Sequence, residues 1–444
     1  MSPKRRYEFM NKLEKQCYIK VLRSRYRRIS KKAKGEILDE LCLRLKCTRK
    51  HGIRLLSAQP TGRPRKGVRR GRPSKYSDPE FVGALRFVWR KMRYMCSKLL
   101  KEAMPEWLPY IEQERNVVFP EEIRERLLCV SAPTIDRILK PYKYQKGKSF
   151  TRSTGFRDQI PIQENIWDIQ IPGFMESDTV AHCGGSMHGE FVNTLTMVDI
   201  ATLWTEVRAV FGRGSNPVFY ALKHIESLLP FPIKGYDADN GGEVLNKHIL
   251  SYFQDERVAQ NREPVQVTRA RAYKKNDNAH VEQRNDSIAR RYLGYERFDF
   301  SQIVPLINFY YVEIVAPLQN HFFPVFKLQG KLRVKSRTRR IYGKPITPYQ
   351  RVLNSEHISE QYKDILTQWH SQLNPIILTN AEFKVRKMID TAAKKLRKAQ
   401  PVDIHKMLLS ARDSTFQQHQ NAVSPRQLFR PLNHFHDKNS HNLW

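Results

Sequence analysis

"FPIKGYDADNGGEV", Phe231 to Val244, ends an apolar run in two aspartates, then turns on Asn-Gly-Gly ahead of a glutamate. An apolar run closing on Asn-Gly is also an ordinary hairpin signal, so the flanking segments decide its meaning. Upstream, "FMESDTVAHC", "FVNTLTMVDI" and "TEVRAVF" are rich in β-branched and aromatic residues, and "PVFYALKHIESLL" has helical spacing with a proline near its start. The quoted stretch then opens with a short fourth strand, "FPIKGYDAD". Downstream, "EVLNKHILSYF" reads as a helix, "PVQVTRA" as a fifth strand and "NDNAHVEQRN" as the beginning of a last helix. Three antiparallel-looking strands followed by alternating helices and strands predict an α/β core, a mixed sheet with helices on its faces, over residues 166–325.

In this frame Asp178 lies in the first strand, Asp239 at the end of the fourth and Glu282 early in the last helix. Carboxylates on three elements can converge, and hard cations such as Mg²⁺ or Mn²⁺ take oxygen ligands while keeping waters for substrate phosphates to replace. Two such ions about 4 Å apart activate the attacking oxygen and stabilise the leaving one in an in-line phosphoryl displacement. Taken singly, Asp178 also reads as a strand-end hydrogen bonder, Asp239 as a turn residue and Glu282 as a solvated helix carboxylate. Asp237 competes with Asp239, because residues two apart in a strand point the same way. Asn240 is either a positioning residue or a turn former, and the glycines let the chain bend sharply after the acids. Asn278 and Asn285 share the helical face of Glu282, where either could meet a polyanion. Lys274 and Lys275, just before that helix, could hold phosphate. Asp199 in "TMVDIAT" reads as structural.

The charge balance explains why acids are notable here. Against 44 acidic residues stand 78 Lys and Arg, a formal net charge of +34 in 444 residues. Such a field attracts polyanions and releases their counterions, so nucleic acid is the expected partner. No run approaches the ~18 apolar residues that cross a bilayer, and the N-terminus does not read as a signal peptide. At roughly 150 residues per domain, about three units are expected.

Residues 1–60 read as a helix-turn-helix domain. Ala33, Ile37, Leu41 and Leu45 recur at fourfold spacing, "KCT" interrupts, and a second helix would present Arg49, Lys50 and Arg54 while Ile53 and Leu56 pack inward. A plain helical hairpin with a basic face fits the same spacing. Residues 61–77 form a basic Gly-Arg-Pro linker, in which Arg63 and Arg72 occupy tripeptides resembling the AT-hook core that enters the minor groove; phosphate contact alone is the simpler reading. A second helix-turn-helix domain is expected over 78–142, with Ile123, Leu127 and Leu128 inward, Ser131 capping the last helix, Pro133 in its first turn and Thr134, Asp136 and Arg137 exposed. In the connector, 143–165, Gly147-Lys148-Ser149 imitates a P-loop end, but that pattern needs glycine where Tyr142 stands, so no nucleotide cofactor is expected. Beyond the core, 326–444 is a basic C-terminal region with β-like alternation near "GKLRVKSRTRRIYGKP" and helices over 355–400. The six cysteines form no C-x-x-C pair and are expected to be buried reduced thiols, not zinc ligands or disulfides.

Taken together, "ESDTVAHCG", "DADNGGE" and "KKNDNAHVEQRN" resemble the first-aspartate strand, the Asp-Asn-Gly turn and the glutamate helix of bacterial insertion-sequence transposases with a retroviral-integrase-type core. The likeness extends to "KGEILDELCLRLKCTRKHGIRLL", "NFYYVEIVAPLQNHFFPVFKL" and "KPITPYQRVL", most of residues 30–355. It implies a ribonuclease-H-like fold, a DDE triad of Asp178, Asp239 and Glu282 holding two Mg²⁺ or Mn²⁺ ions, and Asp239 over Asp237 by its Asp-Asn-Gly position. It also implies double-stranded DNA partners, both element ends and target, an oligomer assembled on DNA, and a bacterial cytoplasmic, nucleoid-associated protein. Departures are the absence of a zinc module and a longer interval from Asp239 to Glu282, for which "DERVAQNREP" is expected to lengthen a loop. A noncatalytic DNA-binding regulator and a nuclease without strand transfer are the alternative readings.

Overall fold

The structure is a computed structural model and describes residues 12–57, 75–115, 118–142, 169–238, 244, 246–269, 279–334 and 337–416. The chain divides into two compact units, Met1–Ser74 and Lys75–Trp444.

In the first unit, α1 (Lys12–Tyr26), α2 (Lys31–Leu45) and α3 (Arg49–Ser57) close around Leu22, Ile37, Leu38, Leu41 and Leu56. Ser30 caps α2 through the Ala33 amide, and Lys46 ends it in the left-handed region at φ 51°. The sharp turn brings α3 across α2 at Gly52, where an added Cβ would lie 3.2 Å from Cys42 Sγ. This close crossing turns Gly52 and Leu56 inward and leaves Ile53 43% exposed, correcting the expectation that Ile53 packs inside.

The second unit begins with α4 (Pro79–Lys91), α5 (Ser97–Arg115), α6 (Glu121–Cys129) and α7 (Ala132–Leu139). Asp78 caps α4, accepting from the Phe81 amide at 2.8 Å, and is ion-paired with Arg126. Ser131 stands at the N-cap of α7, but its hydroxyl meets the Thr134 hydroxyl at 3.0 Å instead of capping a backbone amide. Thr134 is thereby half-buried, Leu128 also half-buried, and Asp136 and Arg137 exposed. These helices do not keep a core to themselves: Phe81, Trp107 and Ile135 share one cluster with Leu318, Phe322, Phe323, Ile376 and Leu378, and Trp107 Nε1 donates to the Phe322 carbonyl at 3.1 Å.

The sheet comprises β1 (Phe174–Ala181), β2 (Val192–Asp199), β3 (Thr205–Phe211), β4 (Gly235–Ala238) and β5 (Gln266–Arg269), in the order β3-β2-β1-β4-β5. β1 pairs antiparallel with β2 and parallel with β4, β2 antiparallel with β3, and β4 parallel with β5. This is the expected mixed sheet. Between β3 and β4 runs α8 (Ser215–Glu226). Between β4 and β5, α9 (Lys247–Ser251) continues through the π-turn Tyr252–Glu256 into α10 (Arg257–Ala259). Half of "DERVAQNREP" therefore extends a helix, with Arg257 buried against Glu226 at 2.9 Å, so the expected loop insertion is corrected.

α11 (Ala279–Arg284) leads through a π-turn, Asn285–Arg290, into α12 (Arg291–Leu293). α13 (Val304–Tyr310) and the π-turns Tyr311–Val315 and Leu318–Phe322 follow. A hairpin of β6 (Leu328–Val334) and β7 (Arg337–Tyr342) then precedes α14 (Pro348–Leu353), α15 (Glu360–Ser371), α16 (Pro375–Arg397) and α17 (Ile404–Phe416). All six cysteines are free, but Cys17, Cys96 and Cys129 are exposed and the others intermediate, which corrects their expected burial. No helix among the described residues is long and apolar enough to cross a membrane.

Candidate active site

The sheet ladder determines which acids share a face. β1 and β4 run in parallel with Glu176 beside Asp237 and Ser177 beside Ala238. Alternation along β1 puts Glu176 and Asp178 on the same side. The start of β1 is locked by Gly173, at φ +109°, whose amide donates to Asp199 Oδ1 at 2.8 Å and whose carbonyl receives the Lys234 amide at 2.8 Å. Asp199 is fully buried and also accepts the amide and hydroxyl of Thr202 at 2.7 and 2.6 Å, the structural role expected of it.

Against this face docks α11. Glu176, wholly buried, accepts the His280 and Val281 amides through Oε2 at 3.0 and 2.9 Å. A strand carboxyl thus caps the first turn of the helix that carries Glu282, satisfying amides that would otherwise lack partners. Burial, aided by the nearby Asp237 and Glu282, pushes the Glu176 carboxyl up to about 8, so it holds a proton at neutral pH and spares the cluster a charge. Its Oε1 has no hydrogen-bond partner among the described residues. Farther along, Asn285 Nδ2 donates to Asp178 Oδ2 at 2.7 Å, while Asp178 Oδ1 accepts the Thr179 amide at 2.7 Å. Asp178 and Asn285 are half-buried and Glu282 is exposed. Asp237 is 8% exposed and accepts the Thr268 hydroxyl at 2.7 Å, joining β4 to β5.

Of the residues singled out in the sequence, Asn285 and Asp178 are in contact, and Asp237 and Glu282 each lie near Glu176. Asp239, Asn240, Lys274, Lys275 and Asn278 lie outside the described residues, as do Arg63 and Arg72. Among the described residues no three His, Cys, Asp or Glu side chains stand close enough to hold a metal ion. In the N-terminal unit Arg49 pairs with Asp39, Arg54 contacts His51 Nδ1 at 2.8 Å, and Lys50 is exposed; in α7, Arg137 donates to Thr134 at 3.0 Å.

Glu176, His280, Thr268 and Arg284 were not anticipated. Period-two alternation from Asp178 was the available signal for Glu176; the others depend on contacts between distant segments. His280 and Arg284 are buried, their pKa values lowered to about 4 and about 10, chiefly by desolvation. His182 is lowered to about 3 by burial, with Nε2 at 2.8 Å from the Thr194 hydroxyl.

Fold and site define an α/β protein whose mixed sheet presents carboxyl groups to a docked helix. No family model matches the chain. Over 341 residues, 75% of the chain and 93% of the relative, it is 35% identical to "Uncharacterized protein y4rM" of Sinorhizobium fredii (strain NBRC 101917 / NGR234), and it belongs to the family of that protein. It also overlaps a chain from a structure of the simian T-cell lymphotropic virus intasome in complex with PP2A regulatory subunit B56 gamma, at 15% identity and a TM-score of 0.23. That overlap covers 42% of this chain and 59% of the other.

Proposed function

We propose that the protein is a DNA transposase of the DDE type, with a ribonuclease-H-like core that cleaves the ends of a mobile element and joins the exposed 3′-hydroxyls to target DNA. The observation that carries the reading is the Asn285–Asp178 hydrogen bond at 2.7 Å. It ties the first-aspartate strand to the helix that bears Glu282, as the sequence resemblance requires. The parallel ladder supports Asp239 as the third member: Ala238 sits beside Ser177, the neighbour of Asp178, and Asp239 is the next residue in the chain. Asp237, buried and engaged by Thr268, is better suited to anchoring β4 than to open coordination.

The donor chemistry suits Mg²⁺ or Mn²⁺: carboxylate oxygens of Asp178 on β1 and Glu282 on α11, with Asp239, the residue that follows β4 in the sequence. Held by Asp178, Asp239 and Glu282, such ions would activate the attacking oxygen and neutralise charge developing at the scissile phosphate. The rest is the work of the chain. Asn285 fixes the rotamer of Asp178, Glu176 fixes the first turn of α11 so that Glu282 faces solvent, and Thr268 braces the strand leading to Asp239. The formal charge of +34 draws in the DNA, with α3 and α7 as end-recognition elements and the oligomer assembled on paired ends.

The test is incubation of the full chain with Mg²⁺ and duplexes carrying the element's own ends. Cleavage and joined products in wild type, and neither in Glu282→Gln, are expected. DNA binding with no cleavage by wild type would instead indicate a noncatalytic regulator, and cleavage without joining a simple nuclease.

A further inference from the structure

A cleft of about 640 Å³ opens between the start of the β6–β7 hairpin, the β2–β3 turn and α14, lined in part by Thr202, Lys327, Lys344, Arg351 and His357. Lys327 and Arg351 are half-buried in it. Neither has a carboxylate within ion-pair distance among the described residues. Lys327 Nζ donates to the Ala201 carbonyl and Arg351 to the Val325 carbonyl, each at 2.7 Å. Arg351 Nε is buried with no hydrogen-bond partner among the described residues. Behind them is a third cation. Arg284, 6% exposed, donates to the Leu203 carbonyl at 2.9 Å and lies two residues beyond Glu282 on α11.

Two acids are near: the exposed Glu356 also lines the cleft, and Asp199 attracts Lys327 without standing in ion-pair distance of it. Asp199 is completely buried and its oxygens are occupied by Gly173 and Thr202. Desolvation lowers Lys327 and Arg351 lowers it further, with Asp199 acting in the opposite direction, while desolvation alone lowers Arg351 to about 10. Half-buried cations whose hydrogen bonds go to carbonyls, with no carboxylate in ion-pair distance of Lys327 or Arg351 among the described residues, are costly unless an anion completes them. A buried guanidinium N–H beside an ammonium suits a tetrahedral oxyanion, which can accept charge-assisted bonds from both.

We propose that this cleft binds a phosphodiester of the DNA backbone, and that Lys327 and Arg351 are its ligands. The inference rests on the DNA-processing reading for the source of the phosphate, though not for the anion chemistry. Through Arg284 the seated phosphate would sit next in charge to the helix that carries Glu282, so backbone engagement at the hairpin and the carboxylate site belong to one surface.

The experiment uses the full chain in two arms. In the first, thermal melting is followed with millimolar inorganic phosphate against chloride at matched ionic strength. Wild type, the exposed-charge control Lys387→Met and the Glu282→Gln variant are each expected to gain about 3–6 °C. Lys327→Met and Arg351→Gln should gain nothing, and Arg351→Lys should keep part of the shift, which separates ligand loss from misfolding. In the second arm, duplex binding is measured over a salt series. Each of Lys327→Met and Arg351→Gln should flatten the slope of log K against log salt by about 1, and Lys387→Met should not. No phosphate-specific shift in wild type overturns the proposal, as does a shift with unaltered DNA slopes, which would mark a site for free phosphate. A phosphate shift in a protein that never cleaves DNA would leave the cleft standing and remove the catalytic reading.

Discussion

Asn285 and Asp178, 107 positions apart in the chain, meet through a single 2.7 Å hydrogen bond that joins the central strand to the glutamate helix. Its removal should affect chemistry more than stability. Asn285→Ala is expected to lose about 1 kcal/mol of stability and roughly 10–100-fold in cleavage rate, the range for residues that orient ligands. Asn285→Asp, which sets a like charge against Asp178, should be worse in both. Melting curves and single-turnover cleavage of end-containing DNA check this; an undiminished rate in Asn285→Ala would deny the bond any positioning role.

Glu176 should behave as a cap, not as a ligand. Glu176→Gln keeps a carbonyl oxygen for the His280 and Val281 amides and is expected to melt near wild type at neutral pH, because the native side chain is already protonated there. Glu176→Ala leaves both amides and a void, and should cost about 2–4 kcal/mol. Denaturant unfolding of the pair separates the two outcomes. Equal destabilisation by Gln and Ala would contradict the capping role.

Glu106 gives the fold a pH-dependent element remote from the site. Its carboxyl, raised from 4.5 to about 7 by burial, lies 3.5 Å from Nε2 of His370, itself lowered to about 4 by burial. His321 faces His370 at 3.1 Å, Tyr349 stacks on it at 4.1 Å, and Lys344 and Glu102 pair nearby at 3.1 Å. A raised acid contributes stability that is full below its unfolded pKa and is lost as pH rises through about 7. Glu106→Gln should therefore melt above wild type at about pH 8, by on the order of 1–2 kcal/mol, with the gap closing towards about pH 5. His370 acts in the opposite window, losing stability as pH falls from 6.5 through about 4. Parallel melting profiles for the two proteins would show that Glu106 is not desolvated in solution.

The choice between neighbouring aspartates is open to direct comparison. Asp239→Asn should reduce cleavage by at least about 10³-fold with little change in melting, as expected for a lost metal ligand. Asp237→Asn keeps an acceptor for the Thr268 hydroxyl and should retain most activity, whereas Asp237→Ala should be destabilised by about 1–3 kcal/mol. Reversal of these rates would move the ligand to Asp237.

Much of the core was legible in the sequence because its signals are local. Runs of β-branched and aromatic residues marked β1, β2 and β3, Pro217 marked the start of α8, and the Asn-Gly-Gly sequence shortly after Ala238 marked the end of β4. What escaped was non-local. Nothing in α4–α7 announces that Phe81 and Trp107 share a core with Phe322 and Ile376, since apolar spacing names a buried face but not its partner. Ile53 and Leu56 look alike in a helical pattern, yet the close crossing at Gly52 turns one outward. Periodicity also could not extend a helix through Asp255–Ala259, where burial of Arg257 against Glu226 decides the matter. At the site, the residue types pointed to Asp178 and Glu282, and two-residue alternation would have added Glu176. The Asn285–Asp178 bond, the Thr268–Asp237 bond and the cations of the cleft all join segments far apart in sequence.

The most direct test of the central claim is Mn²⁺ binding to the full chain, read from the loss of the free-ion paramagnetic resonance signal. Wild type is expected to take up Mn²⁺, with Mg²⁺ competing. Asp178→Asn, Asp239→Asn and Glu282→Gln should each abolish or sharply weaken uptake while melting normally, and Asp237→Asn should bind. Uptake unchanged in all three triad variants would contradict the assignment of these carboxylates to a shared ion site.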